Sequence, residues 1–349
     1  MSKRRRQGED HPDRSGAKQK KSLYLVLDDW HKGFTIRKII DADSPDLSVP
    51  PVLRLVSPER GHAMKFAALG SNIIATSNIH AGTLFYDTDT AGLAVGPPVP
   101  DALLSGSNTF LTSGGGDALF AFVFHFMERP VSFEAMMKPP TTEDDDLLPT
   151  DLSWKSMPTP FTKDEMIFSY AVHPDGRTIF VSSWSKAVCG TYSVDTRNGK
   201  WRRHGEWMLP FRGQGHYDAE LEAWVGLHED GYICSCQVPS RSGGTTTEQP
   251  DWKMADGPRM WIPWHQLAKG KGATLTYMGS ARFCLIDCVA GDGVEFQDAF
   301  GVAGGCVLHI TTFRLRYDRE GKLRIVDRNT TSCPMSKHLT SFSPVAFWL

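Results

Sequence analysis

A hairpin pattern that recurs along most of the chain restricts its fold more than any other feature. A strand-like run, a tight polar turn and a second strand-like run occur five times, with turns marked by Gly70, Gly116, Gly176, Glu220 and Ser280. These markers are 46, 60, 44 and 60 residues apart. Gly, Asp and Ser in such turns favour hairpins because they tolerate positive φ. The spacing is typical of β-propeller blades of about 40–50 residues.

A third and a fourth strand follow several of these hairpins. The predicted third strands end in polar turns, and the fourth strands often carry Trp, as at Trp154, Trp201 and Trp252. An aromatic side chain on the outermost strand of a blade packs that blade against its neighbour. We therefore expect a packing role for these tryptophans.

Composition and periodicity together define the predicted fold class. The 349 residues include 32 Gly and 22 Pro, and few stretches show the 3.6-residue period of a helix. The sequence predicts an all-β, kelch-like β-propeller of about six four-stranded blades, with five to seven possible. Two stacked β-sandwiches and an α+β fold are the alternatives. We expect a disordered basic arm at 1–21, the propeller at 22–333 and a C-terminal segment at 334–349 as a candidate closing strand.

The charged residues divide between a basic N-terminal segment and an acidic remainder. Residues 1–21 hold eight Lys or Arg and three Asp or Glu, whereas the rest holds 30 basic and 37 acidic residues. The segment lacks apolar periodicity, which is typical of a disordered arm. Its two basic clusters resemble a bipartite nuclear-import signal, and a solubilising tail is the alternative. The candidate import residues are Lys3, Arg4, Arg5, Arg6, Lys18, Lys20 and Lys21.

The apolar runs indicate where in the cell the protein lies, and two polar stretches indicate surface loops. No apolar segment precedes Leu23, and the longest apolar run, at 118–127, is shorter than the roughly 20 residues that span a bilayer. We expect a protein of the nucleus and/or cytoplasm, with reduced cysteines. The acidic stretch at 136–152 and the Ser/Gly/Thr-rich stretch at 240–249 are predicted to be insertions that decorate one face.

Motifs for metal or cofactor chemistry are absent from the sequence, so we expect neither a metal nor a cofactor. The pair Cys234 and Cys236, and the pair Cys284 and Cys288, lack the two-residue gap of a zinc knuckle and fit the core face of a strand. No phosphate loop, dinucleotide fingerprint or hydrolase nucleophile elbow occurs. The sequence therefore predicts no catalytic residue.

One polar cluster stands out from this background. His216, Asp218 and Glu220 alternate along a predicted strand and its turn. A His beside an Asp can act as a base with its orienting carboxylate. The alternative is a hydrogen-bonded turn with a purely structural role. The cluster is thus a candidate for either the central funnel or a turn.

Five stretches of the sequence carry a family resemblance, namely residues 24–30, 171–182, 213–221, 223–227 and 277–285. They resemble a plant family, expanded in cereal grasses, of kelch-like proteins with a domain of unknown function. The resemblance covers roughly residues 22–330, and the segment 334–349 departs from the family pattern. It implies a kelch-like propeller and no catalytic residues.

These observations favour a non-enzymatic protein-interaction scaffold or adaptor. We expect a monomer with unknown protein partners, no membrane contact, and nucleic acid bound only nonspecifically through the basic arm. The main alternative is a small-molecule binder or hydrolase-type enzyme that uses the central funnel of the propeller. A chromatin-associated factor anchored by the arm is a third hypothesis.

Overall fold

The computed structural model describes most of the predicted propeller. It covers residues 21–59, 61–105, 108–113, 118–125, 128–138, 151–240, 248–262 and 270–349. Three predicted features lie wholly or largely outside the described residues. They are residues 1–20 of the arm, the turn at 114–117, and most of the insertions predicted at 136–152 and 240–249, of which 139–150 and 241–247 are not described.

Twenty-four strands in the described residues form six four-stranded blades, which confirms the predicted all-β propeller and its blade number. Blades 1, 2 and 3 contain β24-β1-β2-β3, β4 to β7 and β8 to β11, and blades 4, 5 and 6 contain β12 to β15, β16 to β19 and β20 to β23. The bounds in the first three blades are β1 Leu23–Trp30, β2 Gly33–Ile39, β3 Leu53–Val56, β4 Lys65–Leu69, β5 Asn72–Thr76, β6 Thr83–Asp87, β7 Leu93–Val95, β8 Asn108–Ser113, β9 Leu119–Phe124, β10 Ser132–Met137 and β11 Ser153–Met157. The remaining bounds are β12 Met166–Val172, β13 Thr178–Trp184, β14 Cys189–Asp195, β15 Lys200–Gly205, β16 Arg212–Asp218, β17 Ala223–Leu227, β18 Ile233–Gln237, β19 Trp252–Met254, β20 Gly270–Gly279, β21 Arg282–Ala290, β22 Cys306–Tyr317, β23 Leu323–Met335 and β24 Val345–Trp348.

Helix is confined to the connections in the described chain. A five-residue α-helix, α1, spans Asp101–Ser105, and a 3-10 helix spans Phe296–Ala299. Within each blade the strands pair antiparallel, whereas β12 and β16 of neighbouring blades pair parallel through Tyr170 and Gln214. The innermost strands therefore run in one direction around the central channel. We call the face where they begin the upper face and the opposite face the lower face.

Blade 1 combines strands from both ends of the chain. Strand β24 pairs antiparallel with β1, in a register that places Leu23 opposite Trp348. The main chains of Ser22 and Leu349 extend this pairing with N···O distances of 2.6 and 3.1 Å. This arrangement closes the ring and covers the edge of β1 that would otherwise be unpaired.

A fully buried ion pair lies beside this closure. The Lys337 ammonium lies 3.0 and 3.1 Å from the two carboxylate oxygens of Asp28, and it also donates to the carbonyl oxygen of Phe342 at 2.7 Å. The Asp28 carboxylate in turn accepts the main-chain N–H of Leu339 at 2.8 Å. Both charged side chains have no exposed surface. The pair thus joins β1 to a segment more than 300 residues away in the chain.

The predicted hairpin turns occur where the sequence placed them. Gly70, Gly176 and Ser280 have φ values of 58°, 72° and 49° in the turns that follow β4, β12 and β20. These are left-handed conformations, which glycine adopts at the least cost. In the turn after β16 the positive φ falls on Glu222, at 51°, two residues beyond the predicted marker. The turn residues therefore predicted where the hairpins lie, but not in every case which residue of the turn adopts the positive φ.

The core consists of layers between neighbouring blades. Alternate residues of the middle strand β21 point to opposite sides: Cys284 and Cys288 join the layer shared with blade 1, whereas Phe283 and Leu285 join the layer shared with blade 5. Middle strands are consequently buried on both faces. The predicted core role of the two cysteine pairs is confirmed, since all four thiols are buried.

The outer-strand tryptophans pack as predicted in two of three blades. The Trp201 indole of blade 4 makes edge contacts with Phe122 and Phe133 of blade 3, and its Nε1–H donates to the Pro158 carbonyl oxygen at 2.6 Å. Trp154 of blade 3 packs against the layer shared with blade 2. Trp252 of blade 5 instead stays 38% exposed and stacks on a histidine. The first two tryptophans connect blades, and the third does not.

Candidate functional site

The predicted polar cluster lies at the lower end of β16, the innermost strand of blade 5. His216 and Asp218 lie within the strand, and Glu220 lies in the turn that leads to β17. Because side chains alternate along a strand, His216 and Asp218 point to the same side. That side faces blade 6, where His216 bonds to β20 and Asp218 bonds to the turn that follows it.

The Asp218 carboxylate accepts hydrogen bonds from two turns, the one that follows β16 and the one that follows β20. One carboxylate oxygen accepts the main-chain N–H groups of Glu220 and Leu221 at 3.0 and 2.8 Å. The other accepts the Ala281 N–H of the neighbouring blade at 2.7 Å. The side chain is completely buried. Burial and the adjacent Asp218 carboxylate raise the pKa of Tyr277 to about 12.

His216 is bound to the same neighbouring blade. Its Nε2 lies 2.9 Å from the Leu275 carbonyl oxygen, which makes Nε2 the protonated nitrogen of a neutral ring. Burial lowers the pKa of His216 to about 4. Among the described residues no hydrogen bond joins His216 to Asp218, and Glu220 is exposed in its turn. The structure therefore places His216 and Asp218 at the interface between blades 5 and 6, where each bonds to a different main-chain group of blade 6.

The low pKa of His216 makes stability sensitive to acid. A histidine that is protonated near pH 6.5 when unfolded but only near pH 4 when folded favours unfolding as pH falls from 6.5 to 4. We expect H216Q, which keeps an N–H donor for Leu275, to lose about 2 kcal/mol less stability than the wild type between pH 7 and pH 5. Urea unfolding at the two pH values measures this difference.

Two other buried groups set the background of that experiment. Burial also lowers the pKa of His204 to about 4, so part of the acid sensitivity remains in H216Q. Burial raises the pKa of Asp287 to about 6, which acts in the opposite direction. The exposed His62 supplies the control H62Q, which should match the wild type. An H216Q variant with unchanged acid sensitivity would contradict the assignment.

A second polar group crosses blade 6. Asp287, His309 and Ser332 lie opposite one another on three adjacent strands. His309 Nδ1 lies 2.8 Å from the Ser332 hydroxyl oxygen, but no hydrogen bond joins His309 to Asp287 in the described residues. A serine–histidine–carboxylate relay requires both bonds. The group therefore lacks the link that would orient the histidine.

An apolar patch at the upper end of blade 4 was not predicted from the sequence. Met166 and Trp184 are paired across β12 and β13, and Val188 lies in the adjoining turn. They are 42%, 47% and 46% exposed. Buried Glu165 braces the strand below them, since its carboxylate accepts the Ser183 hydroxyl at 2.9 Å. Trp184 ends β13 after six consecutive buried residues, so no alternation along the strand marks it as exposed.

Two cavities open at the lower face. The first, of about 330 Å³, lies between blades 5 and 6, where the Tyr317 hydroxyl donates to the Ser235 hydroxyl oxygen at 2.9 Å. Lys253 lies over the Tyr317 ring and donates to the Gly321 carbonyl oxygen. The second, of about 380 Å³, lies between blade 6 and the β2–β3 loop of blade 1. The polar groups of the first cavity largely satisfy one another.

Metal sites and membrane-spanning helices are absent from the part of the chain that the structure describes. No three His, Cys, Asp or Glu side chains there are grouped to hold a metal ion. None of the helices in that part has the length and apolar character needed to cross a bilayer.

The sequence family is established by one comparison. A family model described as a protein of unknown function, DUF1668, matches residues 20–333. The chain belongs to the DUF1668 family. This membership covers nearly the whole propeller and agrees with the resemblance to a family whose domain has no known function. No curated protein matches the chain in sequence.

Solved structures similar to this DUF1668 chain share its fold at low identity. A provisionally named 6-phosphogluconolactonase from Bacteroides uniformis is 14% identical, with a TM-score of 0.50, and the match covers 93% of this chain and 86% of that one. A chain of a nidogen/laminin complex is 7% identical with the same score, over 94% and 98%. TolB from Acinetobacter baumannii is 13% identical with a score of 0.47, over 94% and 66%. Identities this low indicate a common fold and carry no function across.

Proposed function

We propose that this DUF1668 protein is a non-enzymatic interaction scaffold that binds a protein partner through the upper end of blade 4. The observation that carries the proposal is the patch of Met166, Trp184 and Val188. Three large apolar side chains in contact with water at one site favour a protein-binding surface on a soluble domain. Tryptophan is also among the residues that contribute most to binding energy in such surfaces.

The geometry of the polar clusters supports a scaffold over an enzyme of the central funnel. Asp218 and His216 are occupied by main-chain groups of blades 5 and 6, and Glu220 is separate from them. A catalytic acid or base requires an atom free to reach a substrate. The small-molecule or hydrolase alternative thus draws less support from these residues.

The remaining parts of the proposal concern the setting of the protein. We propose a kelch-like packing, because Trp201 and Trp154 connect blades from outer strands. We also propose that the protein is a monomer in a plant cell, located in the nucleus and/or cytoplasm. The basic arm would serve as its import signal and would bind nucleic acid only nonspecifically.

Affinity capture with the full chain tests the scaffold proposal. We expect W184S to lose bound partners at least tenfold while it folds normally, because half of that side chain is already exposed. V95S is a matched control, since Val95 is 65% exposed on the outer strand of blade 2. A chain without residues 1–21 should keep the partners but lose nuclear accumulation.

Two results would overturn the proposal. In the first, W184S and V95S retain the same partners as the wild type. In the second, the purified wild type binds no protein and turns over a small molecule.

A further inference from the structure

The cavity between blade 6 and blade 1 contains two arginines, of which only Arg282 forms an ion pair among the described residues. Its lining residues are Asp43, Arg282, Phe313, Arg314, Asp327 and Asn329. Its volume of about 380 Å³ falls within the range of small-ligand sites, roughly 300–1,000 Å³. It is therefore large enough for a small molecule and too small for a folded partner.

The two arginines are held close together by strand pairing. Arg282 begins β21 and lies directly opposite Arg314 of β22. Residues directly opposite in an antiparallel pair have Cβ atoms about 4.5–5.5 Å apart, and like charges in this arrangement repel. The fold thus keeps two guanidinium groups at the mouth of one cavity.

The carboxylate of Asp43 forms an ion pair with only one of the two arginines. Asp43, from the β2–β3 loop, forms an ion pair with Arg282 and accepts the Thr312 hydroxyl. Its main-chain oxygen accepts the Asn329 amide. Within the described part of the chain, the Arg314 side chain forms no hydrogen bond or ion pair. Its guanidinium donors are available to a ligand.

We propose that this cavity binds the phosphoryl group of a small phosphorylated molecule, bridged between Arg282 and Arg314. Guanidinium groups bind phosphoryl oxygens with two parallel hydrogen bonds, a geometry that an ammonium group does not provide. A bound phosphoryl group would relieve the repulsion between the arginines. It would also stabilise the contact between blade 6 and the loop that carries Asp43.

Asp327 gives the proposal a second, opposite prediction. Its carboxylate lines the same cavity and repels an anion. Removal of this charge should strengthen phosphate binding, whereas removal of the Arg314 charge should weaken it. The cavity between blades 5 and 6 has no comparable unpaired cation, because Lys253 there already donates to Gly321.

Inorganic phosphate titrated into the full chain at constant ionic strength and pH 7.5 tests the proposal. Calorimetry gives the affinity, and the thermal unfolding midpoint gives the stabilisation. We expect R314Q to weaken phosphate binding at least tenfold and D327N to strengthen it several-fold. R316Q is the matched control: Arg316 is exposed on the same strand, outside the cavity, and should bind like the wild type. Acetate should bind more weakly than phosphate.

Any of four outcomes would contradict the proposal. The wild type shows no phosphate-dependent heat or rise in midpoint; R314Q and R316Q bind phosphate equally well; or acetate binds as tightly as phosphate, which would exclude the phosphoryl group as the ligand chemistry. A D327N variant that binds phosphate more weakly would also contradict it.

Discussion

Replacement of Lys337 with methionine is expected to lower the free energy of unfolding by about 3–5 kcal/mol. Lys337 and Asp28 are completely buried, so K337M leaves the Asp28 carboxylate as an uncompensated charge in a dry environment. It also removes the donor to the Phe342 carbonyl oxygen. Urea unfolding followed by tryptophan fluorescence measures the loss.

A surface ion pair provides the control for this experiment. Lys322 lies 2.8 Å from Glu320 and remains largely exposed, so K322M should change the stability by no more than about 1 kcal/mol. The double variant D28L/K337M should lose less than the sum of its two single variants, because neither charge is then left alone. Equal effects of K337M and K322M would refute the role of the buried pair.

Replacement of Trp224 with alanine should destabilise the protein by a similar amount, about 3–5 kcal/mol. Trp224 is fully buried between blades 4 and 5, beside Phe180. Its Nε1–H donates to the Val172 carbonyl oxygen of blade 4 at 2.9 Å. W224A would therefore create a cavity in a layer between blades and leave a carbonyl oxygen without its donor.

Replacement of the more exposed Trp252 with alanine provides the control for W224A. Trp252 lies on the outer strand of blade 5 and makes one ring contact, with His228. W252A should cost no more than about 1 kcal/mol. If denaturant unfolding shows equal losses for W224A and W252A, packing between blades is not what makes Trp224 important.

The hairpins could be predicted from sequence because their signals are local. Gly70, Gly176 and Ser280 lie in turns whose backbone requires positive φ, and the flanking β-rich runs are short enough to read directly. The blade number followed from the spacing of these turns. Segment 334–349 was a candidate closing strand, but which of its residues form β24 and their register on β1 could not be read in this way, since only tertiary structure brings the two strands together.

The candidate site was less predictable than the fold. The sequence offered His216, Asp218 and Glu220 as a funnel or turn cluster, but it could not show that Leu275 and Ala281 of the next blade bond to His216 and Asp218. Almost any residue type can supply a main-chain N–H or carbonyl oxygen, so the sequence does not reveal which residue bonds to a given side chain. The same holds for the Arg282–Arg314 pair, whose spacing in sequence depends on the length of an intervening loop.

The pairing of β1 with β24 ties the completion of the first blade to a strand that is synthesised more than 300 residues later. A nascent chain that has exposed β1, β2 and β3 holds a three-stranded sheet without its innermost strand, and buried Asp28 has not yet met Lys337. Contacts over such sequence separations form late and slow folding. On the ribosome, blades 2 to 6 can assemble in order while the edge of β1 stays uncovered, so the emergence of β24 converts an arc of blades into a closed ring.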